Sequence, residues 1–293
     1  MKKFILFLSI ILLSIICYGQ IHISNEYELR AFADTVNWGT PYVGQTVILD
    51  NDIALTAEWT PIGKSGKPFK GTFEGNGHKI SNLHIVNRDT AGLFGYINGG
   101  TIQNVIVYGN ISVSGKRRIG GICGLMQNKS KIENCHFIGQ IRVNTSGDAY
   151  VGGIVGEILD GGTINRCSST GLIYGETNDK TGTKCVGGIV GRCGPEGSTS
   201  GNYNSTQIEN CVNLADIRGL SSVGGIIGYI AKNTTVNNCL NCGNIHGGQS
   251  GKKFFGGIIG GYLIGMQIYN CLNVATITAL NGFQSAIIGM SNQ

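Results

Sequence analysis

A five-residue motif, small-Gly-aliphatic-x-Gly, returns along this chain as Ala91-Gly92-Leu93-Phe94-Gly95, as Gly120-Gly121-Ile122-Cys123-Gly124, and again from Gly152, Gly187, Gly224 and Gly256, with a degenerate copy at Ser285-Ala286-Ile287-Ile288-Gly289. Successive copies start 29 to 37 residues apart. Such a period marks a solenoid, in which each unit buries its apolar face only against the next. Each unit carries a second signature, Ile102-Gln103-Asn104-Val105, Ile132-Glu133-Asn134-Cys135, Ile164-Asn165-Arg166-Cys167, Ile208-Glu209-Asn210-Cys211, Val236-Asn237-Asn238-Cys239 and Ile268-Tyr269-Asn270-Cys271. Six residues further on comes an isoleucine: Ile111, Ile141, Ile173, Ile217, Ile245 and Ile277.

These segments are short and lack the 3.6-residue period of a helix. The spacing predicts three strands per repeat and an all-β, single-domain parallel β-helix whose coils stack about 4.8 Å apart. Composition agrees: Gly supplies 48 of 293 residues and charged residues only 13%, and Gly costs a helix about 1 kcal/mol per position. Ile122, Ile154, Ile189, Ile226 and Ile258 are expected to form one internal row, and Cys135, Cys167, Cys211, Cys239 and Cys271 an internal thiol ladder. Asn104, Asn134, Asn210, Asn238 and Asn270 are expected to form an amide ladder at a turn, interrupted by Arg166.

Residues 1–19 read as a signal peptide: Lys2 and Lys3 precede an apolar run from Phe4 to Ile16, and cleavage is expected after Gly19. The run is short for a membrane span, and no later stretch qualifies. Leu13-Ser14-Ile15-Ile16-Cys17 offers a rival lipobox reading, with Ile16 where a small residue is usual. The expected location is therefore extracytoplasmic, secreted, periplasmic or at the cell surface. Without the leader the chain keeps 20 basic and 17 acidic residues. No basic cluster is longer than Lys116-Arg117-Arg118, so nucleic acid is not an expected partner.

Residues 20–90 differ from the repeats at 91–293 and read as a cap. Ser24 and Asn25 can start a helix running to about Asn37, Asn25 and Glu28 make a capping box, and Leu29, Phe32, Ala33 and Val36 share one face. Irregular first coils follow at Thr46–Leu49, Gly71–Phe73 and Ile80–Ile85, with Gly75-Asn76-Gly77 as a turn.

The ordered run Trp59-Thr60-Pro61-Ile62-Gly63, then Pro68 to Ile80, then Gly92-Leu93-Phe94-Gly95 resembles secreted bacterial GLUG-motif proteins. The repeats are similar to GLUG repeats of surface adhesins and of regions upstream in bacterial IgA metallopeptidases, without a peptidase domain. The resemblance covers nearly all of the chain after the leader. It implies a right-handed β-helix and an extracytoplasmic location, and by itself no activity.

Chemistry is sparse. His22, His78, His84, His136 and His246 are scattered with no H-E-x-x-H, and neither a G-x-S-x-G elbow nor a phosphate-binding G-x-x-x-x-G-K occurs. Stacked carboxylates are missing too: Glu133 aligns with Asn165, Glu209 with Asn237, and Glu157 with Arg192 and Tyr229. No enzyme, cofactor or metal site is expected. The lone Cys239-Leu240-Asn241-Cys242 is weak evidence for zinc, and Cys242 aligns with Ile138, Leu214 and Val274, read here as packing positions. Cys185 and Cys193 are the candidate disulfide. Polar loops of unequal length at 175–184, 194–206 and 247–253 are where a solenoid places recognition, with Tyr203, Tyr229 and Tyr262 as candidate ligand contacts. The expected function is non-catalytic binding or adhesion toward a glycan or protein. The alternatives are assembly through an open C-terminal coil edge and, further off, a carbohydrate-active β-helix.

Overall fold

The computed structural model describes residues 19–114, 117–144, 147–176, 184–194, 204–248, 253–279 and 282–291. It is a parallel β-solenoid with one helix, as expected. From Thr90 onward each full coil has four walls, one more than the sequence suggests. In the coil that starts at residue 117 they are Arg117–Gly120 (first wall), Cys123–Gln127 (second), Ser130–Glu133 (third) and His136–Asn144 (fourth). Corresponding strands pair in parallel and in register from coil to coil, as in Ile119 with Val151 and Ile132 with Ile164.

The extra wall comes from the glycine motif, which is a corner between two strands and not the interior of one. Ile122 and Cys123 both donate their N–H groups to the carbonyl of Ile154, so the chain turns there while still stacking. The second glycine of each pair is where the fourth wall presses closest. A Cβ on Gly121 would lie 2.1 Å from the Phe137 ring, one on Gly153 2.4 Å from Ser169, and one on Gly188 2.2 Å from Asn213. No residue with a side chain fits such a gap.

The interior follows the expected rows. Ile122, Ile154, Ile189, Ile226 and Ile258 are all fully buried, as are Ile141, Ile217 and Ile245. As far as Asn238 the asparagine row is a ladder as well as a series of turns, and Asn270 donates instead to Asn237 at 3.3 Å. Asn104, Asn134, Asn210, Asn238 and Asn270 all have φ between 50° and 56°, a left-handed conformation that asparagine tolerates better than other side chains. Asn134 donates to Asn104 at 2.9 Å and Asn238 to Asn210 at 2.6 Å. At Arg166, which keeps φ 54°, the ladder detours: Asn210 donates to Asn165 at 2.8 Å, and Asn165 to Glu133 at 3.0 Å. Replacing Asn210 by Leu removes both amide bonds and forces a branched side chain into left-handed backbone, an expected loss of about 2 kcal/mol. Asn210→Gly relieves the backbone cost, so urea unfolding should place it between wild type and Asn210→Leu.

The helix spans Glu26–Trp38 and buries Leu29, Phe32, Ala33 and Val36. Asn25 Oδ1 accepts the Glu28 N–H at 3.0 Å, while Glu28 returns its carboxylate to the Ser24 N–H at 2.7 Å, one residue earlier than the usual box. Phe32 meets Tyr42, Phe69 and Phe73 with ring centroids 5.1, 5.6 and 6.1 Å away, so the helix closes the first coils through an aromatic cluster. The first coils share a wall with the repeats. Ile21–Ile23, Thr46–Leu49 and Thr72–Glu74 are the first strands of the same nine-stranded third wall that the repeats continue.

Candidate functional site

The first and second walls meet at the glycine corner, and their outward side chains face each other across a cleft. Along the first wall Thr90, Arg118, Tyr150 and Cys185 stack in register, followed by Ser222 and Phe254. Along the second wall the matching positions are Tyr96, Leu125, Glu157, Arg192 and Tyr229. The sequence alignment of Glu157 with Arg192 and Tyr229 is thus correct in register. What it missed is that this column faces another.

The middle of the cleft is filled by a charged cluster. Glu157 is 1% exposed and Arg192 5%, and burying such groups is tolerable only when they are paired. Arg118 Nε donates to Glu157, Arg192 Nη1 lies 3.9 Å from the same carboxylate, and Arg192 Nη1 also donates to the Tyr150 hydroxyl at 2.7 Å. The Arg192 guanidinium sits 4.8 Å from the Tyr150 ring centroid, within cation–π range. Tyr229 stacks next along the column, and burial pushes its hydroxyl above the ordinary phenol range. Glu157 is the only carboxylate in these two columns, and two guanidinium groups engage it.

Toward the helix the cleft opens into a cavity of about 610 Å³. Its floor is Tyr96, Leu125, Thr90 and Arg118; its rim is Asp34 and Trp38 of the helix, Lys64 and Ser65 of the following loop, and Arg88 and Asp89. Asn37 ties the helix end to this loop. Its Nδ2 donates to the Pro61 carbonyl at 3.1 Å and its Oδ1 accepts the Gly63 N–H at 3.1 Å. The volume lies within the roughly 300–1,000 Å³ of small-molecule sites.

Of the candidate ligand contacts, Tyr229 lies in the cleft. Tyr262 belongs to the second wall beside Ile230 and packs half-buried against the core. Tyr203 lies outside the described residues, as do most of the three polar loops. Cys185 and Cys193 are both buried and are not joined by a disulfide. They stand on different walls of one coil: Cys185 in the cleft column between Tyr150 and Ser222, Cys193 in the row of Ile158 and Ile230.

In the Cys135, Cys167, Cys211, Cys239 and Cys271 row the first four are buried and Cys271 partly so. Each thiol serves the corner after the third wall. Cys135 Sγ donates to the Glu133 carbonyl at 3.2 Å and Cys211 Sγ to Glu209 at 3.2 Å. Hydrogen bonding to Cys211, together with burial, pushes the Cys239 thiol from 9.0 up to about 12, and burial raises Cys167 and Cys211 as well. Because these folded-state values exceed the unfolded one, the thiols contribute nothing pH-dependent below pH 9 and stability declines from there toward pH 12. Denaturant unfolding at stepped alkaline pH checks this, and a flat profile between pH 8.5 and 11 would count against a buried ladder.

Cys242, Leu214 and Val274 correct another expectation. They are not packing positions: Leu214 is 49% exposed and Val274 63%, on the outside of the fourth wall. The inward neighbours there are Asn213, Asn241 and Asn273, a second amide ladder. Ser169 Oγ donates to Asn213 at 2.7 Å, Asn213 to Asn241 at 2.8 Å, and Asn241 to Asn273 at 2.7 Å. The signal for it was the repeated Cys-x-Asn at 211, 239 and 271, hidden because earlier coils hold Val107, Phe137 and Ser169 in that place. Among the described residues no group of three or more His, Cys, Asp or Glu side chains is placed to hold a metal ion, and no helix is long and apolar enough to cross a membrane.

No protein-family model matches the chain, and no curated protein matches it. Among solved structures it is similar to a Bacteroides ovatus protein described as a "putative immunoglobulin A1 protease", with 24% identity and a TM-score of 0.66 over 92% of this chain and 81% of that one. It also aligns with the L. reuteri 53608 SRRP at 13% identity and a TM-score of 0.27, covering 90% of this chain and 98% of that one, too distant in shape to carry an argument. The first likeness establishes the shared solenoid fold.

Proposed function

We infer that the chain is an extracytoplasmic, non-catalytic binding module of the adhesion type, taking a glycan or protein ligand in the cleft between its first and second walls. The observation that carries this reading is the cavity beside the helix. It is a preformed recess on a hydrogen-bonded coil stack, so the backbone that carries its lining needs little ordering when a ligand enters. A glycosidase of the two-carboxylate type would need a second carboxylate about 5 to 9.5 Å from Glu157, whereas the ion-pair partners shown for Glu157 are Arg118 and Arg192. The leader-like start and the resemblance to GLUG-repeat proteins support the location. Incubating the mature chain with immobilised glycans and extracellular proteins, then eluting and analysing the ligand by mass, tests the reading. Retention with an unaltered ligand is the expected result. A cleaved or eliminated product would replace the binding reading with an enzymatic one.

A further inference from the structure

Resting on that binding reading, we propose that the cavity beside the helix is a site for the end of a neutral oligosaccharide, with Trp38 as its stacking platform. Trp38 is 78% exposed, and the backbone that carries it is fixed on both sides. Its own carbonyl accepts from Lys67 Nζ at 3.0 Å, and the preceding Asn37 is buried and bonded to the 61–63 loop. A large flat ring carried at the rim of a cavity on fixed backbone, and serving no core, offers the apolar face that the C–H side of a sugar ring covers, with an indole N–H at its edge.

The remaining lining suits a polyol. Asp34 and Asp89 bring acceptors, Arg88, Arg118 and Lys64 donors, and Thr90 and Ser65 hydroxyl groups, around a floor of Tyr96 and Leu125. The charges nearly cancel. Arg118 is engaged by Glu157 and Arg88 lies 3.4 Å from Glu58, so the site carries no strong field to select an anionic ligand. A polyanion such as a uronate polymer would want the opposite, a run of unmatched cations.

The shape selects a chain end. The cavity spans Tyr96 and Leu125 on the second wall, but the next position is Glu157, 1% exposed, opposite Tyr150, 4% exposed. The buried Glu157, Arg192 and Tyr150 cluster therefore closes the cleft one coil beyond Leu125. A glycan can enter from the helix side and stop there; it cannot run through.

The test uses the mature chain, an array of neutral and acidic oligosaccharides, and fluorescence titration. Of the two tryptophans in the sequence, Trp59 is buried at 1%, so Trp38 is the solvent-exposed reporter. The expected result is that a neutral oligosaccharide shifts or quenches the Trp38 emission, and that Trp38→Ala loses more than tenfold in affinity with unchanged thermal unfolding. Equal binding by Trp38→Ala, preference for acidic oligosaccharides, or no binding of any neutral oligosaccharide at millimolar concentration would overturn the site. Retention of Trp38→Ala on extracellular proteins or cell surfaces would then remove the glycan site and leave the binding module standing; loss of all retention, in wild type as well, would remove both.

Discussion

Glu157→Ala is expected to destabilise the folded chain by about 3–5 kcal/mol, the usual consequence of removing one partner from a buried ion pair. Glu157 is 1% exposed and Arg192 5%, so the guanidinium that remains cannot recover its hydration without opening the cleft. Arg118, with 42% of its side chain exposed, can turn toward water and contributes less. Glu157→Gln retains the shape and an acceptor oxygen, and should fall between wild type and Glu157→Ala. Denaturant unfolding monitored by far-ultraviolet circular dichroism measures both. Equal stability of all three proteins would mean that the cluster is hydrated and the cleft open along its whole length.

A larger effect is expected from Gly225→Val. A Cβ there would lie 2.1 Å from the Gly257 carbonyl oxygen and 2.3 Å from Cγ of Asn241. Both obstacles are fixed, the first by coil stacking and the second by the buried ladder through Asn213 and Asn273. A loss of more than about 4 kcal/mol follows, since neither neighbour can yield without giving up buried hydrogen bonds. Gly77→Ala is the informative contrast. Its Cβ would meet nothing within 4 Å, although φ is +77°, so only the backbone cost of about 1–2 kcal/mol applies. Because stability in a solenoid sums over neighbouring coils, the Gly225 variant should lose protection from hydrogen exchange first in the coils on either side of it.

The same contrast explains what could be read in advance. The register of the coils was legible because Ile122, Ile154, Ile189 and their counterparts repeat the same chemistry at the same place, which only stacking satisfies. The helix was legible from Asn25, Glu28 and one apolar face. The fourth wall was hidden because the strand that ends on each glycine pair is short, three residues at Ser222–Gly224, and its outward residue changes from coil to coil. The cleft was harder still. Its residues, Arg118, Tyr150, Glu157 and Arg192, differ from coil to coil and come from two columns that meet only after folding. In sequence the alignment of Glu157 with Arg192 reads as a missing catalytic pair; in space it is a buried ion pair. The cavity draws on the helix, the 61–65 loop and the first two repeats together, and no local pattern announces such a convergence.

We propose that recognition sits in the cleft between the first and second walls, at the cavity beside the helix, and not in the polar loops. The most direct measurement compares, on one array of glycans and extracellular proteins, the wild-type chain, Leu125→Trp, which fills the cavity floor, and a chain lacking residues 195–203. Leu125→Trp is expected to lose more than tenfold in binding while the loop deletion binds as wild type. Full binding by Leu125→Trp together with loss of binding in the loop deletion would contradict it.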